Sequence, residues 1–159
     1  MAQDVLFAID DTDETEGVED IQESRTEKYL LFTSAQLLFG VSSEYVVEII
    51  TNHTITKLPL VPEYVRGIIN LRGQIIPIVD IRMLLGHEGE NDQCTIILNI
   101  DGTMVGILID SVLKMTDIEK ESIRPDPAQK AQGLVSGICS LPDGQTMLVF
   151  DCFQILKQS

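Results

Sequence analysis

The sequence predicts an all-β fold with short helices, made of two similar five-stranded units that close as small barrels. Three observations lead there. Short apolar runs rich in Val and Ile alternate with turn signals every eight to twelve residues. Helical patterns stay shorter than two turns. The chain also repeats itself, and a duplicated β unit of this size buries its edges best by curling on itself.

The elements follow in order. Tyr29–Thr33 and Leu37–Val41 read as a hairpin turning at Ser34-Ala35, and Ser42 or Ser43 caps a short helical turn through Val47. Glu48–Thr51 is the next strand. A polar connector, Asn52–Lys57, and the breakers Pro59 and Pro62 lead into the most regular stretch, Arg66–Arg82. There the runs Gly67–Leu71 and Gln74–Val79 flank the tight corner Arg72-Gly73, whose Gly permits a positive φ. Pro77 cannot donate to a ladder, which predicts an edge strand or a bulge. Asp80 stands as N-cap of a short helix, Ile81–Leu85, stopped by Gly86. Gln93–Ile100 and Thr103–Ile109 form a second hairpin on Asp101-Gly102, followed by the strand Val112–Ile118. Glu119–Gln132, broken by Pro125 and Pro127, is a loop with one helical turn. Gly133–Leu141 and Gln145–Phe150 make the last hairpin, and Asp151 caps a closing helix, Cys152–Leu156.

The repeat has two offsets. At 66 residues, Leu31–Ile49 lies on Ile97–Met115, matching Phe39-Gly40-Val41 to Val105-Gly106-Ile107. At 70 to 71 residues, Gly67-Ile68 matches Gly137-Ile138, Gly73-Gln74 matches Gly144-Gln145, and Asp80 matches Asp151. Residues common to both copies are explained by folding. Function belongs where the copies differ, and Glu48 (facing Lys114), Asn70 (facing Ser140) and Arg72 (facing Pro142-Asp143) are singled out this way.

Composition narrows the function classes. The formal charge of −14 repels phosphate backbones, so nucleic acid is not expected as a partner. No apolar run reaches the ~20 residues of a membrane-spanning helix, so no direct membrane insertion is expected. Three Cys, at 94, 139 and 152, form no CxxC and read as buried thiols of a reducing compartment. Residues 1–28 carry ten acids and two bases. A segment so charged cannot offset its ordering entropy, so residues 1–27 are expected to be an acidic, disordered tail and 28–159 the folded unit. Asp11–Gln22 resembles a calcium loop only faintly, with Glu16 where Gly is required.

No catalytic constellation appears. His53 and His87 stand in polar loops without Cys or His at ligand spacing, so no metal and no cofactor is expected. No GxSxG, Walker A or dinucleotide fingerprint is present. Asp80 and Asp151 read as equivalent caps rather than as paired catalytic carboxylates. The expectation is a protein that is not an enzyme.

The stretch Asn70-Leu71-Arg72-Gly73-Gln74-Ile75-Ile76-Pro77-Ile78-Val79-Asp80 resembles the signature of the CheW family of bacterial chemotaxis coupling proteins. Val46-Val47-Glu48-Ile49, the Gly106-Ile107 strand and Ile123-Arg124-Pro125 support the match, which runs from about Lys28 to Leu156. The resemblance implies two intertwined five-stranded SH3-like barrels sharing strands. It implies a cytoplasmic, non-catalytic adaptor, recruited to membrane receptor arrays, that couples the histidine kinase CheA to the tip of methyl-accepting receptors. On this sequence the receptor-binding residues would be Val46, Glu48, Asn70, Arg72, Val105 and Val112, with Glu48 pairing Arg72. The kinase-binding residues would be Thr54, Ile55, Thr56, Lys57 and Leu58, facing the kinase's regulatory domain. Alternatives are a regulatory module of another two-component signalling complex and a small-ligand-binding β-barrel.

Overall fold

The computed structural model describes residues 25–87, 94–126 and 133–157. The expected acidic tail and its calcium-like run lie outside these residues up to position 24. Ten strands are formed: β1 Thr26–Ser34, β2 Leu37–Ser42, β3 Val46–Thr51, β4 Val65–Leu71, β5 Gln74–Asp80, β6 Cys94–Ile100, β7 Thr103–Ile109, β8 Ser111–Glu119, β9 Val135–Ser140 and β10 Thr146–Phe150. Two one-turn helices, Ile81–Leu84 and Phe153–Leu156, follow β5 and β10. The class is all-β, in two five-stranded sheets.

The sheets run β8-β1-β2-β10-β9 and β3-β6-β7-β5-β4. Under the sequence repeat, β1 to β5 correspond to β6 to β10, and this mapping turns one strand order into the other. Each sheet therefore takes two strands from one copy and three from the other, so the repeats are intertwined. The chain crosses between sheets after β2, through the 3-10 turn Ser43–Tyr45, and after β7, through Asp110 alone. Both crossings are followed by an equivalent β-bulge, with Val47 extra against β6 and Leu113 extra against β1.

The sheets curl until their edges meet. Past β3, Thr56 exchanges two backbone hydrogen bonds with Ile68 of β4; past β8, Arg124 does the same with Ile138 of β9. Glycine explains why the meeting is possible. A Cβ on Gly67 would lie 2.1 Å from the Thr56 carbonyl oxygen, and one on Gly137 would lie 2.8 Å from that of Arg124.

Several strands are apolar without alternation because both of their faces are buried. Tyr29, Leu31, Met147 and Val149 fill the first sheet's own core, and Ile50, Ile69, Ile76, Ile78, Ile97 and Leu108 fill the second's. Their neighbours Leu30, Phe32, Ile96, Leu98, Ile107, Ile109, Leu148 and Phe150 point the other way, into a core shared by both sheets. Among the described residues the shared core holds nineteen buried side chains against six in each of the others, so neither sheet is a free-standing unit. Phe32, Phe39 and Phe150 meet at its centre, with ring centroids 5.4–6.1 Å apart.

Some local expectations need correction. The first turn is Ala35-Gln36 rather than Ser34-Ala35, because Ser34 pairs with Leu37 and is buried. Strand β1 reaches back to Thr26, since the long β8 offers Glu119 and Ile118 as partners to Thr26 and Glu27. Pro77 lies in an interior strand, yet pairing of β5 with β7 begins only at Ile78, so Pro77 occupies a local edge. The bulge there falls opposite, at Arg66 of β4.

Candidate functional site

The β4–β5 hairpin turns on Arg72-Gly73, with φ of 52° and 84°, the type I′ geometry that matches the strand twist. That geometry favours Asn-Gly, as the related Asp101-Gly102 corner nearly provides; Arg at a positive φ works against local preference. Asn70 supports the turn, its Oδ1 accepting from the Gly73 amide at 2.9 Å, and Asn99 does the same for Gly102 at 2.8 Å. Asn70 thus has a structural task that its absence from the second copy had concealed.

Arg72 leans across to β3 and pairs with Glu48, the two residues being brought together by the second sheet's closure. The Arg72 side chain stays 69% exposed and Glu48 29%. Such a pair contributes only ~0–1 kcal/mol to folding. What it does is restrict where the guanidinium points, leaving most of its donors turned outward.

The remaining receptor-side expectations separate. Val46 and Val112 are equivalent under the repeat, each just after a crossing, and each is half-buried against the shared core. Val105 does not belong with them. It is 3% exposed, facing inward from β7, and offers no surface to a partner. The exposed apolar residues near the valines are instead Val47 and Leu113, pushed out by the two bulges.

In the kinase-side connector, Thr54, Thr56, Lys57 and Leu58 are exposed. Ile55 packs against the second sheet's core, and the backbone of Thr56 is committed to Ile68. The surface continues beyond the expected five residues. Leu60 is fully exposed at a φ of 62°, and Val61 and Pro62 line a shallow hollow of ≈ 300 Å³ with Lys57, Leu58 and Arg66. The breaker prolines had marked this stretch only as a turn.

A cluster that the sequence did not reveal lies beneath the hairpin. Asp80 is the N-cap, accepting from the Arg82 amide at 3.0 Å, but it is also fully buried in an ion-pair network. Arg82, 1% exposed, grips both carboxylate oxygens at 2.9 and 3.1 Å, and Arg66 adds a third contact at 3.1 Å. Arg82 Nη1 reaches on to Asp110 at 3.1 Å. Burial opposes the charge on Arg82, but the hydrogen bonds and negative charge of Asp80 and then Asp110 prevail and hold its pKa above the ordinary value. In the second copy Phe153 replaces Arg82 and Ser136 replaces Arg66, and an edge-to-face contact of Phe153 with Tyr45 at 5.5 Å holds the corresponding corner. Comparing the copies at these positions, as was done for Arg72, is the signal that could have found the network.

Among the described residues no group of three or more His, Cys, Asp or Glu is placed to hold a metal ion. No helix among them is long and apolar enough to cross a membrane.

Comparison with known proteins agrees with this geometry. The chain is 30% identical over 129 residues to the chemotaxis protein CheW of Klebsiella aerogenes, covering 77% of this chain and 76% of that protein. It is 28% identical over 117 residues to the chemotaxis protein CheW of Thermotoga maritima, covering 69% and 74%. The crystal structure of the scaffolding protein TtCheW from Thermoanaerobacter tengcongensis superposes with a TM-score of 0.73 at 32% identity, over 79% of this chain and 88% of that one. The CheW-like domain model matches residues 28–159, and the chain belongs to that family.

Proposed function

We propose that this protein is a non-catalytic chemotaxis adaptor that couples the histidine kinase CheA to the cytoplasmic tip of methyl-accepting receptors. The observation that carries the reading is the family match across residues 28–159. The site geometry supports it: an exposed Arg held in one orientation, at a turn that local preference would give to Asn, is a feature of recognition rather than of folding. A receptor hairpin would lay an apolar helical face against Val46, Val112 and their bulged neighbours, with Arg72 anchoring the rim. The kinase's regulatory domain would meet the connector at Thr54, Lys57 and Leu58, extended by Leu60. The protein would work in the cytoplasm, at receptor arrays.

Calorimetric titration of the full chain with a CheA regulatory domain tests this. A saturable complex is expected, and no heat or complex at high micromolar concentration would sink the proposal.

A further inference from the structure

The first hairpin tip, Ala35-Gln36, has φ of 53° and 67°, a type I′ turn with neither Asn nor Gly. Backbone held this way persists only where surrounding structure over-determines it. The restraint comes from Asp110, the lone residue on which the chain passes from β7 to β8. Its Oδ2 accepts the Ala35 amide at 3.0 Å, its Oδ1 accepts Arg82 Nη1 at 3.1 Å, and its own amide donates to the Thr33 carbonyl at 2.9 Å. Thr33 and Ser111 add a hydroxyl contact at 2.8 Å across the same corner. Both carboxylate oxygens are thus in use, one on the β1–β2 turn and one on the helix that follows β5. Arg82 is itself fixed by buried Asp80, so the tie ends on an immobile group.

We propose that Asp110 is a positioning residue for the receptor-facing surface: it clamps the strained β1–β2 tip and the β7–β8 crossing to buried Arg82, and so sets where Val112 and Leu113 are presented. The inference rests on the receptor-binding reading given above. The equivalent corner has Glu44 in place of Asp110: the Glu44 amide donates to Ser42 Oγ at 3.4 Å, the Ser42 hydroxyl donates to Glu27, and Tyr45 packs on Phe153. The Val112 wall is therefore tied through Asp110 to the buried Arg82–Asp80 pair, and the Val46 wall is held by local cap bonds and packing.

Asp110→Ala in the full chain removes both side-chain links and leaves Arg82 its grip on Asp80. Hydrogen exchange read by NMR should show the Ala35 and Gln36 amides exchanging at least about tenfold faster, the loss of one charge-assisted bond. Calorimetry should show a soluble receptor-tip fragment binding about three- to tenfold more weakly, while affinity for the CheA regulatory domain stays within about twofold. Rebuilding the tip as Ala35→Asn/Gln36→Gly in the Asp110→Ala background restores the turn's own preference but neither the acceptor for the residue-35 amide nor the link to Arg82, so exchange there should stay fast and receptor affinity low. Unchanged receptor affinity in Asp110→Ala, an equal loss toward the kinase, or a rebuilt tip that recovers binding without the Arg82 link would each overturn the inference while leaving the adaptor reading intact. A wild-type chain that fails to bind the receptor fragment would instead remove the receptor-binding reading, and this inference with it.

Discussion

Arg72→Asn is expected to separate folding from recognition. The substitution removes an ion pair whose partners are 69% and 29% exposed, a loss of ~0–1 kcal/mol after solvent screening. It also places at φ 52° the residue type that best tolerates that region, ahead of Gly73, a gain of ~1 kcal/mol. The two nearly cancel, leaving the variant between unchanged and ~1 kcal/mol more stable. For a fold of this size that is a rise in Tm of no more than ~3–5 °C. An exposed Arg acting as an interface anchor is worth ~2 kcal/mol or more, so affinity for a receptor-tip fragment should fall about thirtyfold. Calorimetric melting and titration of the same preparations measure both quantities. A Tm lowered by more than a few degrees would return Arg72 to a structural role. Wild-type affinity in a fully folded variant would remove it from the binding surface.

Three further outcomes are expected. Gly67→Ala should cost ~3 kcal/mol and Gly137→Ala ~1–2, read from urea midpoints, because the first adds a contact of 2.1 Å at a φ of 143° and the second a contact of 2.8 Å; equal losses would contradict the closure geometry. Phe39→Ala should cost ~3–5 kcal/mol and still unfold in a single transition by both far- and near-ultraviolet circular dichroism, whereas two separated transitions would show the sheets to be independent. Stability should fall on the alkaline side. Burial and then the Glu27 charge push Tyr29 up to about 12, burial pushes Tyr45 to about 12, and burial with Asp151 pushes Cys152 to about 11. All three are raised, so their contribution is complete below the unfolded values and is lost as pH climbs from ~9–10 toward these values. Melting temperatures flat from pH 7 through 11 would refute this.

Most of the fold was legible in the sequence because two signals reinforced each other. Turn chemistry fixed the hairpins at Arg72-Gly73 and Asp101-Gly102 to the residue, and the repeat paired each strand with a counterpart. The turn at Ala35-Gln36 was misplaced because it carries no turn residue; Asp110, distant in sequence, supplies the restraint that composition lacks. Comparing the copies singles out Glu48 and Arg72 as copy-specific charges, and their pairing is what the family resemblance implies. The resemblance put Val105 on the receptor side, and a valine in a β-run does not by itself show which face it takes; this strand buries both of its faces. The Asp80–Arg82 network went unseen for a different reason. Asp80, alike in both copies, already has a sufficient explanation as a cap, and the sign of its second role lies in its partners Arg82 and Arg66, which the second copy replaces with Phe153 and Ser136.

The arrangement of cores bears on how an adaptor built this way can act. With the shared core three times as populous as either private one, rotating one sheet against the other would disrupt more packing than either sheet holds by itself. The two proposed binding surfaces on such a body would be held at fixed separation and orientation. Coupling through population shift would need a second packing of the shared core of comparable free energy, one that repacks the mutually contacting Phe32, Phe39 and Phe150 rings. Under the proposed function, transmission is expected to be mechanical: a displacement at one surface would be carried to the other by a rigid link, with the two-state elements in the partners. The directional ties at Asp110 and Arg82 fit that role, since hydrogen bonds of fixed geometry resist the small slippage that an apolar seam alone would allow. The single unfolding transition predicted for Phe39→Ala is the direct check, because a link that unfolds in two parts is not rigid between them.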